Sequence, residues 1–269
     1  MSPTADEVTG ALRAAGCVFA EDEARLLIAA AASPAQLTAM IGQRAGGTPL
    51  EHVLGWAEFC GLRIAVDPGV FVPRRRTEFL VGQAAARAAG PGRDGAGRPV
   101  IVDLCCGSGA LGVALAAALG GADLHAADVD PAAVACARRN VVPAGGQVHA
   151  GDLFAALPAD LRGRVDILVV NVPYVPSGEI ALLPAEAREH EPQVALDGGP
   201  DGLDVLRRVA GEAAAWLAPG GRLLTETSER QAAAAARIVA GGGLAARVVS
   251  DEEWGATVVV GRRVVTGRG

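Results

Sequence analysis

The chain has 269 residues, 51% of them apolar, and a net charge of −6, which suits one large or two modest domains around a packed core and argues against general affinity for nucleic-acid phosphates. No stretch reaches the roughly 18 unbroken apolar residues of a membrane span, and the start, Met1–Glu7, lacks the basic and apolar parts of a signal peptide. Five cysteines, with Cys105 and Cys106 adjacent, do not fit a disulfide framework and show no metal-ligand spacing, which predicts reduced thiols, no metal and a cytoplasmic protein.

Residues 5 to about 45 read as helices. Val8, Leu12, Ala15 and Val18 recur at helical spacing, then Ala24, Leu26, Leu27 and Ala30, and Ser33-Pro34 opens a third helix through Leu37, Met40 and Ile41. Gly46-Gly47-Thr48-Pro49 breaks it. Two short apolar runs, Phe59–Val66 and Val70-Phe71-Val72, flank Asp67-Pro68-Gly69 and predict a β-hairpin turning there. The Gly/Pro density of residues 87–99 predicts a mobile surface loop. From Val100 onward strands and helices alternate. Strands are expected at Val100–Leu104, Leu124–Ala127, Gln147–Ala150, Val165–Val170, Arg222–Thr227, Ala246–Ser250 and Thr257–Val260. Helices are expected at Ala110–Leu119, Pro131–Asn140, Leu203–Leu217 and Gln231–Val239. This pattern predicts an α/β fold, a parallel doubly wound sheet with its site at the strand carboxyl ends. No helix separates the last two strands, so an antiparallel final strand is expected. The division that follows is a helical N-terminal docking domain at 1–55, a hairpin linker at 56–76 and a catalytic domain at 77–269.

The loop Asp103-Leu104-Cys105-Cys106-Gly107-Ser108-Gly109 stands where the first strand of that sheet meets its helix. Glycines at 107 and 109 let a ligand approach the backbone, and with Gly112 they spell G-x-G-x-x-G, a weak dinucleotide match by itself. The preceding acid makes the loop resemble that of S-adenosylmethionine sites, with Asp103 and the loop backbone toward the aminoacyl-sulfonium end. Asp128 ends the second strand, where a carboxylate accepts ribose hydroxyls. Asp152 follows the third and would face the adenine amino group, with Leu153 and Phe154 lining that pocket. Any one acid or glycine alone reads equally well as a helix cap or a turn; their joint order along the strand ends does not.

All 24 basic residues are arginine, and the chain holds one tyrosine and two asparagines. That tyrosine and one asparagine share the tetrapeptide Asn171-Val172-Pro173-Tyr174, at the end of the fourth strand. A side-chain oxygen on Asn171 and a backbone carbonyl at Val172 or Pro173 can accept both hydrogens of a planar NH2 group, and Tyr174 can stack on it. The bland alternative is a strand end with a Pro turn and a tyrosine lid.

The tetrapeptide resembles the Asn-Pro-Pro-Tyr signature of amino-group methyltransferases acting on glutamine amides, adenine or cytosine. Gly47-Thr48-Pro49-Leu50, then Gly55, Phe59 and Gly61-Leu62, Val70–Arg74 with Thr77-Glu78, and Glu191–Leu196 with Gly202-Leu203 together resemble HemK-type protein N5-glutamine methyltransferases, over about residues 22–263. The resemblance implies a seven-stranded, Rossmann-like methyltransferase domain using S-adenosylmethionine. It implies cofactor contacts from Phe71, Asp103, Cys105, Cys106, Gly107, Ser108, Gly109, Asp128, Val129, Asp152, Leu153 and Asn171. Substrate contacts would come from Arg74 and from Asn171, Val172, Pro173 and Tyr174, with Asn171 and Tyr174 catalytic, and the partner would be a peptide-chain release factor or a related protein. Three departures are visible. Cys105 replaces the glycine two residues after the loop acid, Val172 replaces the first proline, and Arg75-Arg76 replace a proline and an acid near the expected substrate entrance. Val172 and the arginine pair keep another acceptor open, a small molecule or peptide of secondary metabolism; adenine N6 of a nucleic acid is an alternative because that class shares the tetrapeptide, and the acidic net charge and the absence of lysine weigh against it. A protein that binds the cofactor without turnover is a further alternative. Cys105, Cys106 and Trp56 otherwise read as packing residues, His190 as a surface or capping histidine, and Arg74-Arg75-Arg76 as either a solvated run or a partner contact.

Overall fold

The computed structural model describes residues 3–88 and 97–264. It opens with four helices, α1 (Ala5–Ala14), α2 (Ala20–Ala30), α3 (Pro34–Ala45) and α4 (Leu50–Leu54). Thr4 closes a capping box with Glu7 on α1, and Ser33 caps α3 ahead of Pro34. Val8, Leu12, Ala24, Leu27, Leu37 and Met40 form their shared core. Four expected members, Ala15, Val18, Leu26 and Ala30, are exposed and fall outside it. The first helix stops at Ala14, so Val18 lands in the following turn at 83% exposure, and Leu26 sits on the solvent side of α2. The sequence pattern missed α4, whose N-cap is Pro49, the same residue that ends the preceding segment.

The hairpin pairs β1 (Trp56–Phe59) with β2 (Leu62–Ala65), but its turn is Cys60-Gly61 rather than Asp67-Pro68-Gly69. A two-residue hairpin turn of type I′ needs positive φ at both central positions. Cys60 and Gly61 have φ of 51° and 70°, whereas a proline is held near −65°. Val70–Val72 therefore forms no strand; Val66, Val70 and Val72 instead bury with Ala57 and Cys136. A short 3-10 turn, Arg75–Thr77, leads into α5 (Glu78–Ala88). Of the expected surface loop, residues 89–96 lie outside the described residues.

The remainder runs β3 (Val100–Leu104), α6 (Ala110–Ala118), β4 (Asp123–Asp128), α7 (Pro131–Val141), β5 (Gln147–Ala150), β6 (Val165–Val170), α8 (Ala185–His190), α9 (Gln193–Leu196), α10 (Asp204–Trp216), β7 (Leu217–Thr227), α11 (Ala232–Gly241), β8 (Leu244–Asp251) and β9 (Ala256–Arg263). The seven-stranded sheet has the order β5-β4-β3-β6-β7-β9-β8. Its first five strands are parallel, and β9 runs antiparallel to both β7 and β8, as the missing helix between the last strands predicts. Side chains alternate between faces. Val102, Leu104, Leu168, Val170 and Leu223 meet α10 and α11 through Leu206, Val209, Ala235 and Val239. Ile101, Ile167, Val169 and Leu224 meet α5, α6 and α7 through Leu80, Leu111, Leu115 and Ala137. The chain leaves β3 toward β4 on one side while β6 lies on the other. Their carboxyl ends therefore flank a gap, the place where open α/β sheets hold ligands. Among the described residues no helix is long and apolar enough to cross a membrane.

Candidate functional site

A cleft of about 470 Å³ opens over that gap. On its floor is the glycine loop. Gly107, at φ 54°, lines the cleft, and a Cβ built there would meet no atom within 4 Å, so bare backbone faces open space. Gly109 has a different reason to be glycine. At φ 77° a Cβ would come 2.6 Å from Val141 Cγ2, so it lets α6 pack on α7 and does not reach the cleft wall. Cys105 adopts φ 53° with a side chain, a left-handed conformation costing about 1–2 kcal/mol. Burial pushes its thiol well up, as it does that of Cys106, so neither is poised as a nucleophile. Ser108 is buried on the same wall. Asp103 stands behind the wall. It is fully buried, its Oδ2 accepts from the Gly112 N–H at 2.8 Å, and its Oδ1 has no partner. Burial, and then the nearby Asp128 carboxylate, push Asp103 up to about 8.

Asp128, at the carboxyl end of β4, is held by backbone donors. Oδ2 accepts from Gly107 N–H and Oδ1 from Asp130 N–H, each at 2.9 Å, and the carboxylate, which lines the cleft, has further acceptor capacity. Burial raises its pKa, and those two N–H groups oppose the rise. Val129 follows, more than half exposed on the cleft wall. Asp152 also lines the cleft and pairs with Arg208 of α10 at 2.5 Å; Leu153, at φ 48°, is beside it. Phe154, expected on this wall, is not there. It turns into the core and stacks on Trp216, with ring centroids 5.3 Å apart, because the 3-10 turn after Leu153 points it under the sheet.

The opposite end of the cleft carries Asn171, Val172, Pro173 and Tyr174 in the segment after β6. Asn171 Oδ1 is buried without a hydrogen-bond partner. Such an orphan acceptor costs about 1–3 kcal/mol, which a ligand donor would recover. Phe71 and Arg74 line the same region, with the Arg74 guanidinium 5.0 Å from the Phe71 ring centroid and paired with the buried Glu191 at 2.6 Å. Glu191 also accepts from Val72 N–H at 3.0 Å. The arginine run is thus divided. Arg74 meets Glu191 and Arg76 meets Glu226, while Arg75 lies 6.0 Å from the Trp254 ring centroid. His190 is half-buried and away from the cleft wall.

Sequence reasoning missed four residues here. Glu226 and Gln231 bind Tyr174, Arg208 binds Asp152, and all three partnerships span more than 50 positions, so no local pattern marks them. The fourth is the other asparagine. Asn140 bonds both the N–H and the carbonyl of Ala65, each at 2.9 Å, and the Ser108 carbonyl at 2.8 Å, stitching the hairpin to the glycine loop. Its rarity in this composition is the signal that could have found it.

These features suit S-adenosylmethionine. Gly107 offers open backbone, the Asp128 carboxylate keeps acceptor capacity for a ribose diol, and Val129 and Leu153 supply apolar surface for a base. The comparisons agree. Residues 63–186 match the methyltransferase small domain family. A release factor glutamine methyltransferase from Streptomyces coelicolor is 40% identical over 194 residues, covering 71% of this chain and 67% of the relative. A 4-amino-L-phenylalanine/4-methylamino-L-phenylalanine methyltransferase from Streptomyces pristinaespiralis is 37% identical over 242 residues, covering 84% and 82%. Among solved structures, a Thermus thermophilus 16S rRNA N2 G1207 methyltransferase in complex with S-adenosylmethionine and guanosine shares the fold at TM-score 0.54, with 23% identity over 77% of this chain and 49% of that one. The chain belongs to the release factor glutamine methyltransferase family, a set of Rossmann-like enzymes whose methyl donor is S-adenosylmethionine.

Proposed function

We propose that the enzyme methylates the nitrogen of a planar NH2 group, the side-chain amide of a protein glutamine of the Gly-Gly-Gln kind found in release factors. The observation that carries this reading is the unpartnered Asn171 Oδ1 at the end of β6, lining the cleft. When bound, S-adenosylmethionine supplies an electrophilic methyl group on its sulfonium. Asn171 accepts one hydrogen of the amide, and the carbonyl of Val172 or Pro173, neither bonded to a described residue, accepts the other. These two acceptors orient a weakly nucleophilic nitrogen and stabilise the positive charge that grows on it. The cofactor contacts proposed are Asp128 with the ribose, Asp152 with the adenine amino group, and Phe71, Val129 and Leu153 with its apolar surfaces. Cys105, Cys106, Gly107 and Ser108 lie beneath its methionine end. Asp103 and Gly109 act from behind, by fixing the start of α6.

Residues 1–55 are read as the docking domain, 56–76 as the linker and 77–269 as the catalytic domain. Two facts support docking. Val18 and Phe19 expose an apolar tip beyond α1, and Arg44 of α3 bonds Glu186 of α8 at 3.1 Å, tying the helical segment to the cleft wall. With a release factor as the acceptor, the compartment proposed is the cytoplasm. Mass spectrometry of a Gly-Gly-Gln release factor incubated with the enzyme and cofactor tests the reading: one added methyl on that glutamine is expected, and its absence overturns it.

A second reading has its own support. The match to the 4-amino-L-phenylalanine methyltransferase extends over 84% of this chain, against 71% for the Streptomyces coelicolor relative. An arylamine presents the same flat NH2 with a delocalised lone pair. Methylation of 4-amino-L-phenylalanine, with the release factor untouched, would select it.

A further inference from the structure

The acceptor end of the cleft is braced by a closed polar cycle. Glu226, on β7, has a side chain only 3% exposed, and both its oxygens are occupied. Oε2 accepts from Thr77 Oγ1 at 2.6 Å, and Oε1 accepts from Arg76 Nε at 3.0 Å and from the Tyr174 hydroxyl at 2.9 Å. Arg76 Nη2 in turn donates to that hydroxyl at 2.7 Å. A guanidinium only donates and a carboxylate only accepts. The phenolic proton therefore points at Glu226, and the hydroxyl lone pair facing Arg76 is filled. At its other end the tyrosine is tied through its carbonyl, which accepts from Gln231 Nε2 at 2.9 Å. The ring is thus held from both ends.

We propose that Arg76 is a positioning residue for methyl transfer: by bridging Glu226 and the Tyr174 hydroxyl, it holds the Tyr174 ring as a fixed wall beside the acceptor nitrogen, and the hydroxyl itself takes no part in proton transfer. The proposal rests on the reading that Asn171–Tyr174 receives the acceptor. It is also what the planar fork is suited to, since one guanidinium spans two acceptors that a single ammonium does not. Burial, with the adjoining Glu226 carboxylate, pushes the Tyr174 phenol up to about 12, so the proton stays where the geometry puts it. The cycle joins the 3-10 turn after the hairpin to β7 and to the segment after β6, a union that each of these elements lacks alone.

Tyr174 is the chain's one tyrosine, so 3-fluorotyrosine labels that position alone. In the full-length labelled protein with S-adenosylmethionine bound, the fluorine spectrum of a braced ring should show the resolved signals of slow ring flipping. Arg76→Gln, and Arg76→Lys, which keeps the charge opposite Glu226, should shift these signals and average them. Single-turnover transfer to a Gly-Gly-Gln release factor, with cofactor saturating, should slow between about 10- and 100-fold in Arg76→Gln, as for a misplaced reactant, with cofactor affinity unchanged. Combining Arg76→Gln with Tyr174→Phe should slow it no further than the slower single variant, because the two act as one unit. Wild-type fluorine spectra in both Arg76 variants, or additive losses in the double variant, would overturn the proposal. If the wild-type enzyme leaves the release factor unmethylated, the functional reading fails instead, and the fluorine comparison still decides the role of Arg76.

Discussion

Replacing Asn171 by alanine should move activity and stability in opposite directions. Asn171 Oδ1 is buried with no partner in the free protein, a state that costs about 1–3 kcal/mol. Alanine removes that cost along with the amide, so the thermal midpoint should equal or exceed that of the wild type. The same oxygen is the acceptor proposed for the substrate N–H as charge develops on nitrogen. Its loss should cost about 2.7–4 kcal/mol, by analogy with removing one preorganised transition-state donor, or about 100- to 1000-fold in rate. Asn171→Asp is nearly isosteric but sets a charge beside the sulfonium. It should tighten cofactor binding while slowing transfer, because it stabilises the ground state more than the transition state. The assay is single-turnover methyl transfer with cofactor saturating, read beside thermal melts of the same preparations. Wild-type transfer by Asn171→Ala would reduce the tetrapeptide to a turn and remove the basis for N-methylation.

Asp128→Ala should weaken S-adenosylmethionine binding by about 1.5–3 kcal/mol for each lost charge-assisted bond, and unchanged affinity in calorimetry would take Asp128 out of the site. Burial raises Asp103 from the ordinary aspartate range to about 8, so the folded state holds a proton there that the unfolded state releases. Stability from this group is full below about pH 4 and is lost as pH rises toward 8, at up to about 1.4 kcal/mol per pH unit. Asp103→Asn should flatten the fall in thermal midpoint across that window, and an unaltered slope in chemical denaturation would refute the assignment. Arg44→Ala leaves Glu23, 10% exposed at its side chain, without its cation, and should destabilise the helical segment by about 3–5 kcal/mol in equilibrium unfolding.

The sequence by itself determined the layered α/β core, because apolar periodicity reports directly which faces must be buried. It also marked the two ends of the cleft, through a glycine loop that brings bare backbone to one end and through an asparagine and tyrosine kept in a composition that sheds both. It went wrong at the hairpin. Asp67-Pro68-Gly69 reads as the turn, whereas the positive φ values of the turn belong to Cys60-Gly61, inside the apolar run expected to be a strand. It could not tell that Gly109 serves helix packing while Gly107 faces the cleft, since both are glycines of one loop. Nor could it divide Arg74-Arg75-Arg76. Glu191 and Glu226 lie more than 110 positions further along, and what brings them to Arg74 and Arg76 is the packing of the segment after the hairpin against the α8–α9 connection and the carboxyl end of β7. Such long-range pairing of charge and hydrogen bonds leaves no periodic trace in the chain, so only the tertiary structure decided which arginine faces the site and which faces water.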